Sequence, residues 1–148
     1  MKYAIAVIAA AALVAGVITC NHDSYTDLHQ VLDQQVDLIR DCGEKVARAR
    51  NPADVVCIID RFSASMEKLS PRVQRLWGKY PELRNHLANH NIPDSFQKTM
   101  NQVKKLDQIL FKANAKLMQF SGDPVVEAAR RKLENAMNSA SWRQSGTR

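Results

Sequence analysis

His86 and His90 stand four residues apart, and Glu82 precedes them by another four. Side chains at that spacing share one face of a helix, and two imidazoles so placed can hold one metal ion with a carboxylate beside them. The run His86-Leu-Ala-Asn-His90 lacks the glutamate that serves zinc-protease helices as general base, so hydrolysis does not follow from this row. A surface helix carrying ordinary histidines is the competing reading. His29 and Met66 are residue types that ligate haem in helical bundles. His29 falls off the apolar seam of its segment, however, and Met66 falls on the seam of its own, where packing explains it. No cofactor is expected.

Three cysteines offer other chemistry. Lys2 and the apolar, Ala-rich run from Tyr3 to Ile18 have the form of a secretory signal, slightly short for a membrane span. Val17-Ile18-Thr19-Cys20 ends that run and resembles a bacterial lipobox, with Thr19 where Gly, Ala or Ser is usual. The resemblance implies that Cys20 is lipidated and becomes the mature N-terminus. Ordinary signal-peptidase cleavage, for example after Gly16, is the alternative. Cys42 and Cys57 are the two cysteines outside the signal region, and export favours their oxidation to a disulfide. They flank the turn near Ala49 to Asn51 at similar distances, closing a loop of about 15 residues that the chain-entropy model values at roughly 3 kcal/mol. Against the bond, Cys42 lies on its helix seam while Cys57 points roughly opposite to the seam of the next helix.

Lys98, Lys105 and Lys112 recur every seven residues, which puts them on one outer line of a helix; Lys104 and Lys116 widen it. Arg130, Arg131 and Lys132 add positive charge further on. The charge is unevenly spread: residues 21–61 hold eight acids and five bases, residues 62–148 seven acids and fifteen bases. Such asymmetry points either to complementarity within the molecule or to an anionic partner for the basic part. Nucleic acid is not the expected partner, because export takes the chain away from it and no aromatics interleave the lysines as a stacking platform requires. Anionic lipid headgroups, envelope polymers or a protein fit better. A basic face that only keeps the molecule soluble is the competing reading.

Catalysis finds little support. No serine sits in a nucleophile elbow, no glycine-rich loop could cradle a phosphate, and no Cys-x-x-Cys spacing occurs. The chain is therefore not expected to be an enzyme.

The elements that must carry these residues are helical. From Phe96 to Phe120 the line Phe96, Val103, Leu110, Leu117 runs beside the line Thr99, Leu106, Ala113, Phe120, without Gly or Pro. This predicts a helix roughly 37 Å long at about 1.5 Å per residue. Its stripe needs partner helices. Ser24 and Asp27 suggest a capping box opening a first helix, with a seam through Tyr25, Leu28, Leu32, Gln35, Ile39, Cys42, Val46 and Ala49. The opposite face of that helix carries Asp33, Asp37 and Asp41. Asn51-Pro52-Ala53-Asp54 opens a second, whose seam keeps its phase across Pro71 and predicts a kinked continuous helix to about Gly78. Ser121-Gly122 closes the third helix and Asp123-Pro124 starts the fourth.

Two tight helical hairpins with a longer connection predict an all-α four-helix bundle, with a short extra helix in the central connection. An extended coiled-coil oligomer is the alternative. Residues 1–20 are expected to be a signal peptide, 21–140 the bundle domain and 141–148 a flexible tail. The functional expectation is a small exported protein of the cell envelope that binds rather than catalyses, lipid-anchored or free in the periplasm or outside. An extracytoplasmic metal- or cofactor-binding bundle using Glu82, His86 and His90 is the alternative.

Overall fold

The computed structural model of the protein describes residues 25–81 and 96–139. Among these residues the chain forms four helices: α1 (Thr26–Ala47), α2 (Pro52–Lys79), α3 (Gln97–Gln119) and α4 (Pro124–Ser139). Their ends follow local chemistry. Asn51 is extended and its side chain accepts from the Asp54 backbone N–H at 2.9 Å. The Asp54 carboxylate accepts in turn from the Arg50 N–H at 2.9 Å, so two otherwise orphaned donors are satisfied at the start of α2. Asp123 does the same for α4, accepting from Val125 and Val126 at 2.9 and 3.2 Å ahead of Pro124. Between α3 and α4 the backbone turns through Gly122 at a φ of 95°, which a side chain would resist.

The start of α1 differs from the expected capping box. Tyr25 is the N-cap, and its side chain does not cap the helix. The Asp27 carboxylate accepts from the next backbone N–H, from Lys79 Nζ at 2.6 Å and from the Tyr80 hydroxyl at 2.7 Å. It therefore fastens α1 to the end of α2. Ser24, the signal segment, the short helix expected within 82–95 and the tail 141–148 lie outside the described residues. α2 runs unbroken through Pro71, whose ring is exposed.

The pairings give the directions. Asp27 meets Lys79, while Gln30 and Gln34 meet Arg72 at 3.3 and 3.5 Å, so α1 and α2 are antiparallel. Thr99 donates to Asp33 at 3.3 Å, and Gly43 faces Ile109 at the same sequence offset, so α1 and α3 run parallel. Asp60 meets Lys132 at 2.8 Å, and Val55 packs in one cluster with Val126, making α2 and α4 parallel as well. The close pairs are α1 with α3, α2 with α4 and α1 with α2; α3 and α4, though joined by a tight turn, are not among them. The apolar seams thus meet inside one chain, as a bundle of two stacked hairpins requires.

The core forms three layers. Tyr25, Leu28, Leu76, Tyr80 and Phe96 close one end; Ile39, Cys42, Phe62, Met66 and Leu106 fill the middle; Val55, Ile59, Val126 and Ala129 fill the end near the two turns. Val31 and Val36, outside the expected seam of α1, are buried too, while Gln35 is half-buried. A helix contacted by both α2 and α3 needs two adjoining apolar stripes rather than one.

The expected disulfide is absent: Cys42 and Cys57 are both free thiols, one buried and one exposed. The antiparallel hairpin does bring them to similar height. Cys42, however, faces inward among Ile39, Phe62 and Leu110, and Cys57 faces outward beside Ala53 and Arg61. Two sulfurs directed to opposite sides of a helix pair cannot bond without rotating one helix about its axis.

Candidate interaction surface

α3 presents three kinds of line along its length. Thr99, Leu106 and Ala113 are buried. Val103, Leu110 and Leu117, expected to share the core equally, are only half-buried, because α4 does not close tightly on this side of α3. A small, wholly apolar cavity of ≈ 50 Å³ lies here, bounded among others by Cys42, Gly43, Leu110, Leu133 and Met137. On the outer side, Lys98, Lys105 and Lys112 are all exposed, as their spacing predicts.

How charges are matched elsewhere gives this face its character. The acidic row on α1 is neutralised largely on that helix. Asp37 pairs with Arg40 at 2.7 Å, Asp41 with Lys45 at 2.7 Å and Glu44 with Arg48 at 3.7 Å, while Asp33 accepts from Thr99. Two ion pairs tie helices together, Asp27–Lys79 and Asp60–Lys132. They hold Asp27 below its usual carboxylate range, through Lys79 first and Tyr80 second, and they raise both lysines. Complementarity within the molecule is therefore real but local. It does not reach α3, where Lys98, Lys105 and Lys112 make no ion pair among the described residues.

A second basic line escaped the sequence reading: Arg61, Lys68 and Arg75 on α2, seven apart and exposed. The preceding residue at each step is Asp60, Glu67 and Gln74, so an acid stands before two of the three bases, although none of the three makes an ion pair among the described residues. On α3 the residues preceding Lys98, Lys105 and Lys112 are Gln97, Lys104 and Phe111, and Met118 continues that line one heptad on. The helix holds five lysines against one acid, Asp107. Phe111 is 75% exposed and Met118 49%. An aromatic does therefore stand beside the lysines, contrary to expectation, although one ring does not make a stacking platform. The signal was its place seven residues after Lys104, which puts it off both seams.

Cys20, Glu82, His86 and His90 lie outside the described residues. Among the described residues no three His, Cys, Asp or Glu side chains gather where an ion could be held. His29 and Met66 are not brought together: the His29 ring packs on Phe96 at 4.1 Å, whereas Met66 is buried in the middle layer. Burial lowers the His29 pKa, with Asp33 opposing it. Burial also pushes the Cys42 thiol up to about 12, with Asp41 adding to it. An open cleft of ≈ 540 Å³ lies between the starts of α2 and α4, where Cys57 and Val125 face Asp60 and Arg61. No described helix is long and apolar enough to cross a membrane.

Comparison with known protein families, characterised proteins and solved structures finds no match to this chain. The described residues form a four-helix bundle of two stacked hairpins, with a lysine-rich outer face on α3.

Proposed function

We propose that this chain is a small exported bundle protein of the cell envelope that works by binding, and that the outer face of α3 is its docking surface for an anionic partner. The observation that carries the reading is the contrast in charge matching. Lys45 and Arg48 on α1 pair with Asp41 and Glu44, and Arg61 and Lys68 on α2 follow Asp60 and Glu67, whereas Lys98, Lys105 and Lys112 follow Gln97, Lys104 and Phe111. Lysines seven apart on a helix are separated by about 10.5 Å along its axis. That exceeds the screening length of about 8 Å at physiological salt, so mutual repulsion costs little stability. An extended anionic surface can still meet all three, each contributing up to about 1 kcal/mol near an acidic membrane.

The apolar run ending at Cys20 supports export, and a lipid on that cysteine would supply one weak anchor. The basic face would supply the second signal that stable attachment needs. Charge reversal tests the docking role. A K98E/K105E/K112E variant is expected to keep the helical content and thermal midpoint of the wild type, since the three side chains are exposed and make no ion pair among the described residues. Its binding to envelope fractions in low salt is expected to fall steeply. Wild-type binding by the folded variant would contradict the proposal.

A further inference from the structure

The outer face of α3 combines two kinds of group that water treats oppositely. Lys104, Phe111 and Met118 form one line, and Lys98, Lys105 and Lys112 form the next, about 100° around the helix. Phe111 is the most exposed large apolar side chain described, and Met118 lies on the same line one heptad on. Neither belongs to any of the three core layers. They lie outside the buried core, and their exposure to water is unfavourable.

We propose that the anionic partner of α3 is a lipid bilayer, with Phe111 and Met118 entering the boundary between headgroups and acyl chains while the flanking lysines hold lipid phosphates. This inference rests on the docking role proposed for α3. Charge complementarity sets the sign of the partner, because the helix holds five lysines against one aspartate. The apolar pair sets its class. A soluble polyanion satisfies the lysines and leaves Phe111 in water. An anionic bilayer accepts both, since lysine stems are long enough to keep the ammonium among phosphates while the ring sits deeper. Binding of this kind scales with buried apolar area as well as with charge, so it outlasts salt that abolishes purely ionic contact.

The experiment uses the full mature chain with two probes: vesicles of phosphatidylcholine containing phosphatidylglycerol, and beads carrying a sulfated polymer. Three proteins are compared by sedimentation at low and physiological salt: wild type, F111S/M118S and K98E/K105E/K112E. The wild type is expected to bind both probes at low salt and to retain part of its vesicle binding at physiological salt. F111S/M118S is expected to lose about tenfold or more in vesicle affinity, with bead binding unchanged. The triple lysine variant is expected to lose both. Equal vesicle affinity of F111S/M118S and wild type would overturn the insertion of Phe111 and Met118 while leaving the docking role intact. Binding to beads but not to vesicles would do the same, and would point to an acidic polymer or protein. Self-association of the wild type without lipid, abolished in F111S/M118S, would reassign the patch to an interface between copies. Retained binding of the triple variant to both probes would remove the docking role and this inference together.

Discussion

Two thiols fifteen residues apart are placed in opposite environments, one on the inner face of α1 and one on the outer face of α2. Cys42 is buried, and its thiol is pushed to about 12, so it stays protonated and shielded across the physiological range. Cys57 is exposed. A thiol-alkylating reagent is expected to modify Cys57 rapidly in the folded protein and Cys42 only after unfolding; peptide mapping of both sites checks this, and equal modification without denaturant would contradict the packing. His29 gives a second residue-scale outcome. Its folded pKa lies below the ordinary value of 6.5, chiefly because of burial against Phe96, with Asp33 opposing. The unfolded chain therefore takes up the proton first as pH falls. The stability His29 contributes is present above about pH 6.5 and is lost as pH drops below it. The thermal midpoint is expected to decline from pH 7.5 to 5.5, less so in His29→Gln. Identical pH profiles for the two proteins would count against this assignment.

At the scale of elements, the tightest point is the contact of α1 with α3. A Cβ added at Gly43 would lie 2.8 Å from Ile109 Cγ2, closer than packed carbons allow, and that methyl sits near the backbone of α3 where it cannot swing away. Gly43→Ala gains helix propensity, roughly 1 kcal/mol at most, but forces the helices apart, an overpacking cost of about 1–3 kcal/mol. A net loss in chemical denaturation is expected. Ile109→Ala should relieve it, so the double variant should be more stable than the summed single effects imply; strict additivity would show that the two residues do not meet.

Helix boundaries were legible because their chemistry is local. The Asn51-Pro52 and Asp123-Pro124 starts and the Gly122 turn all depend on neighbours in sequence, and the stretch expected from Phe96 to Phe120 forms a helix over Gln97–Gln119. Periodicity gives the direction of a face but not how many helices lie against it. The burial of Val31 and Val36 and the half-burial of Val103 and Leu110 were therefore hidden. The direction of Cys57 was visible at 100° per residue, and it outweighs the favourable loop length.

For the whole molecule, attachment is expected to follow charge placement rather than total charge. The protein has a net charge of +6, and any basic protein adsorbs weakly to anionic surfaces. The solvent face of the lysines was legible from their spacing, whereas the matching of acids to bases elsewhere required the fold. Asp60 and Lys132, distant in sequence, meet only because α2 and α4 pack in parallel. The second basic line, Arg61, Lys68 and Arg75, provides a control with the same number and spacing of charges on another helix. Reversing either triplet changes the net charge equally. The direct measurement is therefore the binding of R61E/K68E/R75E and K98E/K105E/K112E to one anionic surface, side by side in low salt. Retained binding in the α2 variant with loss in the α3 variant is the predicted result. Equal losses in the two would show that net charge alone governs attachment and that α3 has no docking role.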